Sequence, residues 1–117
     1  MPYVIYGIRT CDTLKKARHW LEQHNIPCHF HDYRVSGVDA GLLRTWCLEQ
    51  GWEKLLNRNG TTFRTLDETR KTGLDLEQAI VLMREQPAMI RRPVLDLGDR
   101  RLVGFRPEQY AAALLPR

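Results

Sequence analysis

A chain of 117 residues, 43% of them hydrophobic and 27% charged, has the length and composition of a single globular domain. Its 18 lysines and arginines are dispersed among 14 acidic residues, and the resulting net charge of +4 without a basic stripe argues against a nucleic-acid interface. No apolar run approaches the ~20 residues of a membrane span and no signal-peptide pattern is present, so we expect a cytoplasmic protein.

The first predicted elements are a strand, a helix and a second strand. The apolar run Tyr3–Tyr6 predicts a short buried strand, and apolar residues recur at helical spacing over 14–21. Asp12 or Thr10 is expected to cap this helix. The alternating pattern of Cys28–Tyr33 predicts the second strand. A strand, a helix and a strand within about thirty residues predict a parallel βαβ unit with a right-handed crossover.

The middle of the chain, about residues 35–88, has the pattern of a helical insert. Asp39 and Asp75 are the expected N-caps of two helices with apolar stripes, and Gly51 is expected to end the first. Thr61–Leu66 is ambiguous, because its β-branched residues favour a strand whereas its position between helices does not.

The last part of the chain returns to a β pattern. Pro93–Leu97 and Arg101–Phe105 predict two antiparallel strands joined by a turn at Gly98-Asp99. Pro107 fits the first position of a closing helix.

Together these elements predict an α/β fold class with a thioredoxin-like four-stranded mixed sheet and an inserted helical subdomain. The whole chain, 1–117, would be one domain. Its thioredoxin-like core would comprise about residues 1–34 and 89–117, and the helical insert about 35–88.

The three cysteines, Cys11, Cys28 and Cys47, match no zinc spacing and are expected to be free thiols in a reducing compartment. Cys28 falls in a strand and Cys47 on an apolar helix stripe, so we expect both to be inert. Cys11 lies in a polar turn at a predicted helix start, where backbone N–H groups and the helix dipole stabilise a thiolate. Leu14 stands where a Cys-x-x-Cys motif has its second cysteine. A catalytic Cys11 must therefore use an external thiol, or Cys28 or Cys47 if either reaches it.

Two arginines are expected near this thiol. Arg92 directly precedes Pro93 at the start of the third strand, where we expect a cis peptide bond, and Arg106 ends the fourth strand. Guanidinium groups stabilise a thiolate and offer paired donors to a carboxylate or an oxyanion. His29 and His31 share a strand face but lack a third ligand at sensible spacing, so no metal site is predicted.

The chain resembles the arsenate reductase-like (ArsC/Spx) family, and within it the YffB branch, over essentially its whole length. The matching residues are Tyr6-Gly7-Ile8, Cys11 to Ala17, His31 to Arg34, Gly60 to Arg64, Leu66-Asp67-Glu68, Arg92-Pro93 and Gly104-Phe105. The resemblance implies a thioredoxin fold with a helical insert. It also implies one nucleophilic cysteine, three arginines that hold an oxyanion, and glutathione with glutaredoxin as reductant.

Position by position, the resemblance assigns the nucleophile to Cys11 and two oxyanion arginines to Arg92 and Arg106. The third arginine is expected where Asn57 stands, and Arg58 follows one residue late. An acid, Asp12, follows the nucleophile where arsenate reductases have a glycine. These departures favour a thiol substrate over a dianionic oxyanion.

The leading expectation is a monomeric, glutathione-dependent thiol/disulfide reductase that forms a mixed disulfide at Cys11 and needs no cofactor besides glutathione as co-substrate. Its partners would be glutathione, a disulfide or oxyanion substrate, and glutaredoxin. Arsenate reduction and a non-catalytic, Spx-like regulator that binds RNA polymerase are the alternatives. The expected substrate-binding residues are Arg92, Arg106, Asp12, Thr13, Pro93 and Arg58.

Overall fold

The structure of the chain, a computed structural model, describes residues 3–116. Its contacts divide the chain into two compact units. The first unit runs up to Tyr33 and resumes at Arg92, and the second covers Arg34–Arg91. None of the helices in the described residues is long and apolar enough to cross a membrane.

Short helices fill the second unit, whereas all four strands of the sheet lie in the first. In chain order the elements are β1 (Tyr3–Gly7), α1 (Asp12–Gln23), β2 (Cys28–Asp32), α2 (Tyr33–Ser36), α3 (Ala40–Gln50), α4 (Trp52–Leu55), α5 (Thr61–Arg64), α6 (Glu68–Lys71), α7 (Leu76–Glu85), a 3-10 turn (Pro87–Met89), β3 (Val94–Asp96), β4 (Arg101–Val103) and α8 (Pro107–Leu114).

The sheet has the strand order β2-β1-β3-β4. β1 is parallel to β2 and antiparallel to β3, so that Ile5 pairs with both Phe30 and Leu95. β3 and β4 form the predicted antiparallel hairpin. The predicted fold class, a four-stranded mixed sheet with helices, is therefore confirmed.

α1 and α8 pack against the same face of the sheet. The apolar stripe of α1 is buried together with sheet residues and one residue of α8, and this cluster consists of Ile5, Leu14, Ala17, Leu21, Leu95, Leu102 and Tyr110. Burial of each leucine contributes roughly 1.5–3 kcal/mol to folding. A Cβ at Gly7 would lie only 3.2 Å from Leu14 Cδ2, so the glycine allows α1 to approach β1 closely.

In the second unit, the predicted caps of the two longer helices are confirmed. The Asp39 carboxylate accepts a hydrogen bond from the Leu42 N–H at 3.0 Å, and the Asp75 carboxylate accepts one from the Gln78 N–H at 2.9 Å. Gly51 ends α3 with a φ of 90°, which suits glycine. The buried side chains of this unit include Leu43, Trp46, Leu55, Leu56, Ile80, Met83, Met89 and Ile90.

The start of α1 differs from what the sequence predicted, and the structure resolves the ambiguity of the segment Thr61–Leu66. The expected cap of α1 by Asp12 or Thr10 is wrong, because the N-cap residue is Cys11 and its side chain makes no capping hydrogen bond. The ambiguous segment Thr61–Leu66 begins with the helix α5, in which Phe63 is buried. Burial of this aromatic ring in a helical unit outweighs the β propensity of the threonines.

Candidate active site

The segments that follow β1 and precede β3 meet at one edge of the sheet in the first unit. Parallel pairing puts Gly7 opposite Asp32, at the carboxyl ends of β1 and β2. Because Tyr6 pairs with Val94, the antiparallel β3 begins at this same edge, and β4 ends there. The edge therefore collects the turn before α1, the Arg92-Pro93 segment and the segment 104–106.

Cys11 lies in the turn at this edge and is half-buried. Its backbone N–H donates to the Ile8 carbonyl at 2.9 Å, and its carbonyl accepts from the Lys15 N–H at 3.1 Å, which begins α1. The first N–H groups of a helix, here those of Asp12 and Thr13, have no intrahelical acceptor. A thiolate at Cys11 is the anion that such a helix start can stabilise.

An ion pair joins the turn to the end of β2. Arg9 Nε lies 3.8 Å from Asp32 Oδ2, and the Asp32 side chain is only 11% exposed while that of Arg9 is 74% exposed. A pair with one partner so exposed is weak, of the order of 1 kcal/mol or less. It nevertheless places a nearly buried carboxylate beside the turn that carries the thiol.

The two predicted arginines frame the other side of this edge. The Arg92-Pro93 peptide bond is cis, as expected, and the Pro93 carbonyl accepts a hydrogen bond from the Gly104 N–H at 2.8 Å. Gly104 has a φ of 81° and lies two residues before Arg106, which is the exposed N-cap of α8. Arg92 is half-buried. Topology thus gathers Cys11, Arg92, Pro93 and Arg106 at one edge, and their roles in substrate binding stay predictions.

Three aromatic rings near this edge form a cluster that was not predicted from the sequence. The centroids of Tyr6 and His31 lie 4.8 Å apart, and the ring of Tyr33 is stacked 6.2 Å from that of Tyr6. Tyr33 is 2% exposed, and its hydroxyl has no hydrogen-bond partner among residues 3–116. Burial raises the pKa of Tyr33 above its usual value, with Tyr6 adding to the effect and Arg92 opposing it. The cluster follows from strand register, which pairs Tyr6 with His31 and which no local pattern of the sequence reveals.

Neither of the other cysteines is suited to resolve a disulfide at Cys11. Cys28 pairs with Tyr3, at the opposite end of β1 from Gly7, and the four steps from Tyr3 to Gly7 span ~13 Å at the usual rise of a strand. Disulfide formation needs Cα atoms within about 7 Å. Cys47 is 4% exposed, in the second unit. Burial raises the pKa of Cys28 and of Cys47 to about 11, so both are protonated at neutral pH.

Arg58 belongs to the second unit and is exposed. Its guanidinium carbon lies 5.7 Å from the centroid of the Trp52 ring, which is a cation–π distance. Before it, the Asn57 N–H donates to the Met89 carbonyl at 2.7 Å and fixes the start of the loop. The part of Arg58 in substrate binding stays a prediction.

Known proteins resemble the chain over nearly its full length. The model of the ArsC family matches residues 6–113. A solved structure described as YffB protein is 60% identical, with a TM-score of 0.94, and the match covers 96% of this chain and 98% of that one. A solution structure of an arsenate reductase (ArsC) related protein from Brucella melitensis is 48% identical, with a TM-score of 0.77 and coverage of 99% and 97%.

Two curated relatives also match the chain over most of its length. An uncharacterized protein of Haemophilus influenzae is 43% identical over 93% of this chain and 96% of its own length. The global transcriptional regulator Spx of Enterococcus faecalis is 28% identical over 97% of this chain and 86% of its own length. The predicted resemblance to the ArsC/Spx family and its YffB branch is confirmed by these matches.

Proposed function

This chain belongs to the ArsC family, and we propose that it is a glutathione-dependent thiol/disulfide reductase with Cys11 as its nucleophile. The observation that carries the proposal is the position of Cys11, which is the N-cap of α1 and leaves the first helical N–H groups without a side-chain acceptor. A thiolate there gains the stabilisation that a capping side chain would otherwise provide.

In the proposed reaction, the Cys11 thiolate attacks one sulfur of a disulfide between glutathione and a substrate thiol. The Cys11–glutathione S–S bond forms as the substrate S–S bond breaks, and the substrate leaves as a thiolate that takes a proton from solvent. A second glutathione, as thiolate, then attacks the glutathione sulfur of the mixed disulfide. This step returns the Cys11 thiolate and releases oxidised glutathione, so each turnover consumes one reduced glutathione and releases one substrate thiol.

The resolving thiol in this proposal is external. Cys28 is held about a strand length away from the turn of Cys11, and the thiol of Cys47 is buried and protonated at neutral pH. Leu14, which stands where a local resolving cysteine would be, is fully buried against the sheet. A small soluble thiol such as glutathione meets these restrictions.

The remaining residues of the edge supply the binding groups. Arg92 and Arg106 would hold glutathione carboxylates through charge-assisted hydrogen bonds, with the Pro93 backbone beside them. The N–H groups of Asp12 and Thr13 would stabilise the thiolate. The Asp12 side chain is exposed beside Cys11. Its negative charge repels a dianionic oxyanion more strongly than it repels glutathione, because glutathione also carries a positive ammonium group.

Intact-mass measurement after incubation with oxidised glutathione tests the proposal. One glutathione adduct is expected, and peptide mapping should locate it on Cys11. Reduced glutathione, added afterwards, should remove the adduct. Cys11→Ser should take up none and lose disulfide turnover, while Cys28→Ser serves as the matched control and should behave as the parent. An adduct confined to Cys28 or Cys47, or full turnover by Cys11→Ser, would contradict the proposed mechanism.

Arsenate reduction is the second candidate, supported by the name of the Brucella melitensis relative. Asp12 and the absence of an arginine at Asn57 weigh against it. Arsenate-dependent consumption of glutathione in the presence of glutaredoxin is the deciding measurement, and we expect none above background.

A non-catalytic regulator is the third candidate, supported by the Spx relative. Leu14 removes the Cys-x-x-Cys pair that would act as a redox switch in such a regulator. Copurification of RNA polymerase with the tagged chain would favour this reading over the reductase, and we expect the chain to be isolated without it.

A further inference from the structure

A cavity of about 230 Å³ lies between α1 and β2 in the first unit, away from the edge that carries Cys11. Its floor is apolar and its rim carries one positive and one negative side chain, and the lining residues are Ile5, Arg18, Leu21, Glu22, Ile26 and Cys28. The cavity suits a small metabolite rather than a nucleotide or another large cofactor.

The two charged groups of the rim are not paired with one another. Arg18 and Glu22 are four residues apart on α1, a spacing at which an ion pair often forms. Among residues 3–116, however, neither takes part in an ion pair, and the Arg18 guanidinium carbon instead lies 4.5 Å from the centroid of the Phe30 ring. A cation–π contact of this kind leaves N–H groups of the guanidinium available as donors.

The Cys28 thiol, which also lines the cavity, is uncharged at neutral pH. Cys28 is half-buried and packs against the core cluster. Its sulfur therefore presents a weakly polar, uncharged surface beside Leu21 and Ile26. An occupant must accordingly combine an apolar body with both an acidic and a basic group at one end.

We propose that this cavity binds a free apolar α-amino acid. The carboxylate would accept hydrogen bonds from Arg18, the ammonium group would donate to Glu22, and the side chain would enter the space between Leu21 and Ile26. A simple carboxylate would meet repulsion from Glu22, whereas a simple amine would meet repulsion from Arg18. Only a molecule with both charges satisfies the whole rim. The inference does not depend on thiol exchange at Cys11.

Titration of the full-length chain with L-leucine, followed by amide chemical shifts, tests the proposal. Shift changes are expected at the residues that line the cavity and not in the turn of Cys11 or in the second unit. Leucinamide, which lacks the carboxylate, and N-acetyl-leucine, which lacks the ammonium group, should each bind about threefold more weakly, as expected for an exposed ion pair.

Matched variants separate the two charges. Arg18→Gln should weaken the binding of L-leucine about threefold and should leave the binding of leucinamide unchanged. Glu22→Gln should likewise weaken the binding of L-leucine about threefold and leave that of N-acetyl-leucine unchanged. Lys16→Gln, on an exposed position of the same helix outside the cavity, is the control and should change neither affinity. L-Leucine should also slow alkylation of Cys28 but not of Cys11.

The proposal would be overturned by three results. The first is that no amide shifts change at the cavity up to the solubility limit of L-leucine. The second is that Lys16→Gln weakens the binding of L-leucine as much as Arg18→Gln or Glu22→Gln does. The third is that leucinamide binds as tightly as L-leucine. Thiol exchange at Cys11 is measured separately with oxidised glutathione, so failure of one proposal leaves the other open to its own test.

Discussion

At the scale of single residues, Cys11 is placed by backbone hydrogen bonds and by packing of its half-buried side chain against the core cluster. The bond from its N–H to Ile8 and the bond from Lys15 to its carbonyl close the turn on both sides. The sequence predicted a cysteine at a helix start, but it also predicted a neighbouring cap that is not there. Cys11 is itself the N-cap residue and its side chain makes no capping hydrogen bond, so the first helical N–H groups stay available for the proposed chemistry.

Tyr110 allows a test of a buried hydroxyl. It is fully buried, its ring packs edge-on against Phe105 at 4.8 Å and Trp20 at 5.5 Å, and its hydroxyl has no hydrogen-bond partner among the described residues. Tyr110→Phe keeps the ring contacts and removes the unsatisfied group. We expect the free energy of unfolding in urea to rise by about 1 kcal/mol. Tyr3→Phe, at a half-buried position, should leave it unchanged, and a loss in Tyr110→Phe would mean that the hydroxyl has a partner.

The buried thiols give the stability a dependence on alkaline pH. The pKa of Cys47 rises from 9.0 to about 11 on burial, so folding favours the protonated thiol. The stabilisation is complete below pH 9 and is lost progressively as the pH rises towards 11. In urea unfolding at pH 8, 9, 10 and 11, Cys47→Ala should therefore show a smaller decline with pH than the parent. If the free energy of unfolding declined equally with pH in both proteins, burial would not raise the pKa of Cys47.

At the scale of elements, the N-caps of the second unit differ in a way that permits a matched comparison. Asp75 accepts a hydrogen bond from the Gln78 N–H, whereas Asp67, the N-cap of α6, makes no side-chain capping bond. Asp75→Ala should lower the free energy of unfolding by about 1 kcal/mol, and Asp67→Ala by a few tenths at most. Denaturant unfolding followed by circular dichroism measures both, and equal losses would show that charge rather than capping matters.

Elements with strong local signals were predicted well from the sequence. Asp39 and Asp75 mark helix starts and Gly51 marks a helix end because each acts on backbone groups within a few residues. α5 was not predicted, since its helical state depends on burial of Phe63 among residues distant in sequence. β3 and β4 are shorter than expected because pairing, rather than residue type, sets where a strand ends.

The candidate site was partly predictable for the same reason. Topology alone predicted that Cys11, Arg92 and Arg106 follow or precede strand ends at one edge of the sheet. The stacking of Tyr33 on Tyr6 depends on register, and the contact of Arg58 with Trp52 depends on loop geometry. Neither is encoded in a local pattern that a single sequence reveals.

At the scale of the whole molecule, Leu95 joins parts of the chain that are far apart in sequence. It is fully buried and pairs with Ile5 on one side and Leu102 on the other. Leu95→Ala should lower the free energy of unfolding by about 2–5 kcal/mol, because a cavity forms where three strands meet. Val103→Ala, at a half-buried position of β4, should cost less than half as much in the same urea titration.

The central position of β1 has a consequence for synthesis of the chain. One of its neighbours, β2, follows after a single helix, but the other, β3, is translated only after the entire second unit. Until then the nascent β1 offers an unpaired edge to other chains, which is a recognised aggregation hazard. Early folding of the second unit would draw Arg34 and Arg91, the two ends of that unit, into one compact body and shorten the loop that β3 must close. We therefore expect the yield of folded protein to depend on the second unit folding first.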